Sequence, residues 1–226
     1  MFTANKFNKQ FSKIKQTFNH GILSFDQQHV NKVFFSDRIK FNNQKNLIKN
    51  LSKNSAVIFR EYDLNFQERY SMAIELKKIL NPKNKFLIAK DFNLVKKIKA
   101  DGIHFSDLDK KIPINFLNKK SFPKNFIFSL ALHPKNNFKS LGLIKKYQPD
   151  WIFISPIFAT TSHVNQSSIG IIKFSRLILK IENLACKNKK FMPKIYALGG
   201  INFGNLKILS KLQISGFGAI DLFKNL

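Results

Sequence analysis

The chain contains 226 residues, of which 44% are hydrophobic, and carries a formal net charge of +26. This length suits a single α/β domain with one sizeable core. No apolar run approaches the roughly 18 residues that cross a membrane, and the single cysteine, Cys186, excludes an intramolecular disulfide. The segment Met1–Gln10 has scattered charges and lacks the apolar stretch of a secretory signal, so we expect a cytoplasmic protein.

The positive charge does not by itself indicate a nucleic-acid partner. Its source is lysine, which occurs with many asparagines, isoleucines and phenylalanines, all residues with A/T-rich codons. The lysines are scattered over the outer faces of predicted helices, and no nucleic-acid-binding motif accompanies them. We therefore expect no nucleic acid among the partners, whereas a phosphorylated small molecule would benefit from the positive field.

Residues 1–30 are predicted to be a basic amphipathic extension that precedes a domain spanning residues 31–226. Apolar residues recur there at helical spacing, with lysines around them, at Phe7, Phe11, Ile14 and Phe18. Such a helix could dock on its own domain, lie on a membrane surface or bind a partner, and the sequence leaves these alternatives open.

From Val33 onward, short apolar strands alternate regularly with helical patterns. Eight strands are predicted, at Val33–Asp37, Ala56–Tyr62, Lys85–Lys90, Gly102–Ser106, Asn125–His133, Asp150–Phe158, just before Gly199 and at Gly216–Phe223. This alternation predicts a (β/α)8 TIM barrel with a closed parallel sheet. The last outer helix is predicted to be missing, and the N-terminal helix could cover the face that it would have covered.

Two adjacent glycines, Gly199 and Gly200, follow the seventh predicted strand, and a helical pattern runs from Asn205 to Leu212. A strand that ends in glycines before a helix leaves backbone N–H groups available to an anion, most often a phosphate. The plainer alternative is a tight turn between strand and helix.

In such a barrel, chemistry takes place where strands end and helices begin. Six segments near these ends occur in an order that resembles the thiamine phosphate synthase/TenI family: Phe59–Glu61, Ala100–His104, Ala131–His133, Ser155–Phe158, Ala197–Ile201 and Gly216–Ile220. The resemblance implies a transferase of thiamine biosynthesis that couples hydroxymethylpyrimidine diphosphate with thiazole phosphate. Mg²⁺ and basic residues would hold the pyrophosphate while the thiazole nitrogen captures the pyrimidine cation.

By this resemblance, Arg60 is assigned to the pyrophosphate, which a guanidinium can bind bidentately. Asp109 matches one Mg²⁺ ligand. Lys90 stands where the other would be, and Asp91, one residue further on, is the remaining candidate ligand. A protonated lysine cannot ligate Mg²⁺, so Lys90 takes over part of the metal's charge, marks a lost pyrophosphate half-site or extends to solvent.

The resemblance also assigns residues to the phosphate of the thiazole and to its surroundings. These substrate-binding candidates are Thr160, Ser162, His163, Gly170, Gly199, Gly200, Ile220 and Asp221. His133 falls where TenI-type thiazole tautomerases have the histidine that moves a proton, and histidine suits general-base catalysis near neutral pH.

The preferred interpretation is a thiamine phosphate synthase, with phosphorylated thiazole and the pyrimidine diphosphate as substrates and Mg²⁺ as cofactor. The alternatives are a TenI-like thiazole tautomerase and a non-catalytic barrel that binds thiazole phosphate. A homo-oligomer is left open.

Overall fold

The computed structural model describes residues 30–109, 112–113, 122–134, 137–160, 167–186 and 191–223. Its eight strands pair in chain order as a closed parallel barrel, which confirms the predicted fold class. The proposed N-terminal extension lies outside the described residues except for Val30, so both its helix and its domain boundary stay predictions.

The strands are β1 (Lys32–Phe35), β2 (Ser55–Phe59), β3 (Lys85–Ala89), β4 (Gly102–Ser106), β5 (Ile127–Leu132), β6 (Trp151–Ile154), β7 (Lys194–Leu198) and β8 (Gly216–Ala219). The described helices are α1 (Gln44–Lys49), α2 (Phe66–Ile79), α3 (Phe92–Ile98), α4 (Asn137–Tyr147), α5 (Gly170–Cys186) and α6 (Leu206–Leu209), followed by a 3-10 turn at Asp221–Phe223. By its contacts the chain divides into two compact units, Met1–Phe86 with Ile201–Leu226, and Leu87–Gly200.

The first unit contains β1, which pairs in parallel with β2 and with β8. Every residue of β2 is buried, as expected for a parallel strand covered on both faces. Helix α2 begins with a capping box, in which the Asn65 side chain accepts from the Glu68 N–H and the Glu68 carboxylate accepts from the Asn65 N–H. These elements fix the position of the residues that follow β2.

The second unit carries the parallel pairs from β3 to β7. Its longest helix, α5, buries one face at helical spacing, through Phe174, Leu177, Ile178, Ile181 and Ala185. In the strand layer, the Tyr196 ring stacks on Phe153 with 4.8 Å between ring centres. Burial raises the pKa of Tyr196 far above its ordinary value, so its phenol stays neutral.

Most predicted strand boundaries differ from the structure by a few residues, most of all at the ends of β6 and β8. β6 ends at Ile154, before Pro156, because proline has no N–H to donate to the sheet. β8 ends at Ala219 and passes into the 3-10 turn. The helix expected over Asn205–Leu212 is α-helical only at Leu206–Leu209, and the chain then continues to Leu212 with i→i−3 hydrogen bonds.

No helix among the described residues combines the length and the apolar character that crossing a membrane requires.

Candidate functional site

Arg60 follows the last residue of β2, in the first unit. Its backbone N–H donates to Ser36 Oγ at 2.9 Å, and its Nε donates to the Ser36 carbonyl oxygen at 3.2 Å. Its Nη2 lies 3.6 Å from Asp37 Oδ2, and its guanidinium carbon lies 5.5 Å from the centre of the Phe35 ring. The end of β1 thus anchors Arg60, and because a guanidinium has five N–H donors, it can still offer a pair to an anion.

The neighbouring Glu61 is buried, and it has a structural role that the sequence did not indicate. Both of its carboxylate oxygens accept from the Arg38 backbone N–H at 3.2 Å, and Oε1 also accepts from Gln44 Nε2 at 3.3 Å. The Arg38 side chain in turn forms an ion pair with the exposed Asp63. Glu61 therefore holds the segment that follows β1, which is the segment that anchors Arg60.

Lys90 and Asp109, which follow β3 and β4 in the second unit, form an ion pair. Lys90 Nζ lies 2.5 Å from Asp109 Oδ1, and Asp109 Oδ2 accepts from the Ser106 N–H at 2.8 Å. The Asp109 side chain is 9% exposed and the Lys90 side chain 47% exposed. The Asp109 carboxylate is therefore the enclosed partner, and the Lys90 side chain is the more exposed one.

The backbone of Lys90 lies in the left-handed region, with φ of +65°. A residue with a side chain pays about 1 kcal/mol for this conformation, which glycine adopts readily. The Lys90 N–H donates to the His104 carbonyl oxygen at 2.9 Å, and the next residue, Asp91, caps α3 by accepting from the Leu94 N–H at 2.9 Å. The junction between β3 and α3 is thus fixed on both sides, with lysine at a position that favours glycine.

These residues do not fit the Mg²⁺ site that the resemblance implies. Mg²⁺ needs oxygen ligands in near-octahedral geometry, one or two of them carboxylates, but Asp109 meets an ammonium with one oxygen and an amide N–H with the other. The predicted ligand Asp91 uses Oδ1 to cap α3. The two aspartates as metal ligands stay a prediction that this geometry does not support.

His133, which follows β5, is held by a carboxylate that the sequence analysis did not single out. Its Nδ1 lies 2.8 Å from Asp107 Oδ1, and its backbone N–H donates to Asp107 Oδ2 at 2.8 Å. Ser140 Oγ also donates to Asp107 Oδ2, at 3.3 Å. With the carboxylate accepting the Nδ1 proton, a neutral His133 presents Nε2 as its acceptor, the atom that a general base uses.

Asp107 is ionised under ordinary conditions despite its burial. Burial acts to raise its pKa, but the hydrogen bonds and charge of His133, with the hydrogen bond from Ser140, outweigh burial and leave the pKa below its ordinary value. A fixed negative charge at Nδ1 keeps the imidazole in one orientation.

The glycine pair is explained by close packing within the second unit. Gly199 has φ of +89° and Gly200 has φ of +66°. A Cβ on Gly199 would lie 2.8 Å from Pro156 Cα, and a Cβ on Gly200 would lie 2.3 Å from the Ala159 carbonyl oxygen. The backbone after β7 therefore needs glycine to approach the segment after β6, whether or not a phosphate binds there, and the phosphate site stays a prediction.

The remaining substrate-binding candidates are placed as follows. Thr160 is partly exposed in the segment after β6, and Gly170 begins α5, where its N–H donates to the Ile157 carbonyl oxygen at 3.2 Å. Ser162 and His163 lie outside the described residues. In the first unit, Ile220 and the exposed Asp221 follow β8, with Asp221 starting the 3-10 turn.

A family model described as thiamine monophosphate synthase matches residues 34–222, which is most of the barrel. The chain belongs to this thiamine monophosphate synthase family. A putative thiamine-phosphate synthase 2 of Aquifex aeolicus is 29% identical over 192 residues, covering 83% of this chain and 94% of that protein. A thiamine-phosphate synthase of Clostridium tetani is 26% identical over 76% of this chain and 75% of its own length.

A solved structure agrees with the barrel of this thiamine monophosphate synthase family member. The thiamine phosphate pyrophosphorylase of Pyrococcus furiosus matches with a TM-score of 0.63 over 88% of this chain and 93% of that chain. Their sequences are 16% identical, so this likeness shows the fold alone.

In this family member, the sequence pointed to Lys90, Asp109 and His133 as site residues but not to their contacts, and it did not point to Asp107. Lys90 and Asp109 meet, and so do His133 and Asp107. The signal for Asp107 was available, because it directly follows β4 and His133 directly follows the adjacent β5. Parallel neighbours bring such residues to the same edge of a sheet.

Proposed function

We propose that the chain catalyses the thiamine-phosphate synthase reaction, in which thiazole phosphate displaces pyrophosphate from hydroxymethylpyrimidine diphosphate. Family membership supports the two phosphorylated substrates, and the curated relatives are named for this activity. The observation in this chain that carries the proposal is the Lys90–Asp109 pair, which puts a half-exposed lysine at a strand end. TIM-barrel enzymes act at that end of their strands.

The step that most needs catalysis is the departure of the leaving group, pyrophosphate. The bond between the pyrimidine's methylene carbon and a diphosphate oxygen breaks, and its electron pair leaves with pyrophosphate. The thiazole nitrogen then gives its lone pair to the methylene carbon. Fixed positive charge beside the leaving oxygens stabilises the negative charge that grows on them. Among the described residues of the second unit, Lys90 suits this role.

A second function is favoured by a different observation, the contact between His133 and Asp107. Coupling of the two substrates needs no general base at the reacting carbon, whereas a TenI-like tautomerase must remove and return a proton. A histidine held at Nδ1 by an ionised carboxylate is suited to that exchange through Nε2. Thiazole tautomerisation is therefore the alternative proposal.

One experiment separates the two proposals. Purified protein is given both substrates, with and without Mg²⁺, and thiamine phosphate is measured. Isomerisation of the thiazole phosphate is followed in parallel in wild-type and His133→Ala protein. The synthase proposal expects thiamine phosphate from both proteins. Isomerisation without coupling, abolished in the variant, would replace the synthase by the tautomerase. Neither product would overturn both.

A further inference from the structure

The pair formed by Lys90 and Asp109 has the same net charge as a metal site built on two carboxylates. Mg²⁺ between two aspartates sums to zero, and so does one ammonium beside one aspartate. Lys90 Nζ lies 2.5 Å from Asp109 Oδ1, so a cation that approached this oxygen would meet a permanent positive charge at once. Binding Mg²⁺ here would require the lysine to withdraw.

The pair also differs from an ordinary surface ion pair. The Asp109 side chain is 9% exposed, and its second oxygen is held by the Ser106 N–H at 2.8 Å. Lys90 is kept in a left-handed backbone conformation that disfavours any side chain. Backbone outliers of this kind gather at functional sites. Asp109 is thus a fixed carboxylate that positions the Lys90 ammonium. Lysine stands at this position although glycine would adopt the same backbone conformation at a lower free-energy cost.

The difference in exposure sets what the pair can bind. Lys90 is the more exposed partner, and its ammonium has three N–H donors, so it can hold an oxyanion together with Asp109. A diphosphate has several charged oxygens and is the anion that the proposed substrate would bring. The enclosed carboxylate would keep the ammonium in place while the anion binds.

We propose that the Lys90 ammonium, positioned by Asp109, binds the diphosphate of the substrate in place of a divalent cation. The inference rests on the proposed function for the identity of the organic diphosphate, but diphosphate binding can be measured without turnover. It makes Lys90 a residue that touches the leaving group and Asp109 a positioning residue.

The test measures the affinity of inorganic pyrophosphate by titration calorimetry, in EDTA and in Mg²⁺, for the full chain and five variants. Lys90→Gln removes the charge, Lys90→Arg keeps it, Asp109→Asn removes the positioning carboxylate, and Lys90→Asp restores two carboxylates. Lys99→Gln is the matched control, because Lys99 is also an exposed lysine with positive φ, of +52°, at the other end of α3. Circular dichroism verifies that each variant folds.

We expect wild-type protein to bind pyrophosphate in EDTA at least as tightly as in Mg²⁺. Lys90→Gln should weaken this binding more than tenfold, Asp109→Asn less so, while Lys90→Arg and Lys99→Gln stay within about threefold. Lys90→Asp should bind only when Mg²⁺ is present. Manganese titrated into wild-type protein and followed by electron paramagnetic resonance should show no tight site, whereas Lys90→Asp should gain one.

Pyrophosphate binding by wild-type protein that requires Mg²⁺, equal binding by Lys90→Gln, or a tight manganese site in wild-type protein would each overturn the inference. Failure of this inference is distinguishable from failure of the proposed function. Metal-free pyrophosphate binding without thiamine phosphate formation would support the anion site and reject the synthase. Thiamine phosphate formation that requires Mg²⁺ would support the synthase and reject the metal-free anion site.

Discussion

Asp107 and Asp109 lie two residues apart in the chain, but their partners differ in chemistry and in exposure. Asp107 faces an imidazole and a backbone N–H of the same residue, His133, and Asp109 faces the ammonium of Lys90. The first pair is enclosed on both sides, with side-chain exposures of 7% and 14%, whereas in the second pair the lysine is 47% exposed. The comparison shows that one carboxylate orients an enclosed imidazole and that the other holds a half-exposed lysine.

The largest effect is expected from Asp107→Ala. It removes the acceptor of two His133 donors and of Ser140 Oγ, so the free energy of unfolding should fall by about 3 kcal/mol. Urea denaturation measures this, with Asp63→Ala as the control, because an exposed carboxylate in an ion pair contributes at most about 1 kcal/mol. Equal losses in the two variants would show that Asp107 is no more structural than a surface residue.

A smaller loss is expected from Asp109→Ala, which tests the other side of the comparison. It leaves the Ser106 N–H without its carboxylate acceptor, and it removes the ion pair with Lys90, whose side chain is half-exposed. The free energy of unfolding should fall by about 1–2 kcal/mol, less than for Asp107→Ala. A larger loss for Asp109→Ala than for Asp107→Ala in the same urea titrations would contradict the distinction between the two carboxylates.

The pH dependence of stability should report Asp107. Its pKa is lowered in the folded state, so its contribution is complete above the unfolded-state value of about 3.9 and is lost as the pH falls through the folded-state value. The stability advantage of wild-type protein over Asp107→Asn should therefore shrink as the pH falls below about 4. Melting temperatures measured from pH 3 to pH 5 check this, and an advantage that grows below about pH 4 would contradict it.

The smallest effect on stability is expected from Lys90→Gln. Because the lysine is half-exposed and solvent screens its charge, the free energy of unfolding should change by less than about 1 kcal/mol. The same variant should bind pyrophosphate more weakly. Lys90 would then contribute little to stability but much to the affinity for pyrophosphate. A thermal melt beside the calorimetric titration gives both readouts, and a variant that loses much stability would place Lys90 among the structural residues.

The sequence predicted the barrel because apolar residues run continuously in buried strands but recur at helical spacing in amphipathic helices. The structure shows this spacing in the buried face of α5. It could not predict where hydrogen bonding stops. β6 ended early because of Pro156, and α6 shortened into i→i−3 turns. Such endings depend on single residues and on local bonding.

The strand-end residues were found by position, but their partners were not. Nothing local to Lys90 indicates that Asp109, far along the chain, accepts its ammonium, or that the chain turns left-handed there. Asp107 was passed over in favour of Asp109 although both follow β4. Only the register of adjacent strands decides which carboxylate meets His133 and which meets Lys90.

The most direct test of this account is a single-turnover measurement of thiamine phosphate formation with protein in excess over hydroxymethylpyrimidine diphosphate, in EDTA. The account predicts product from wild-type protein without a divalent cation and a rate at least tenfold lower in Lys90→Gln, with Lys99→Gln unchanged. Product that forms only when Mg²⁺ is restored, at equal rates in wild-type and Lys90→Gln protein, would contradict it.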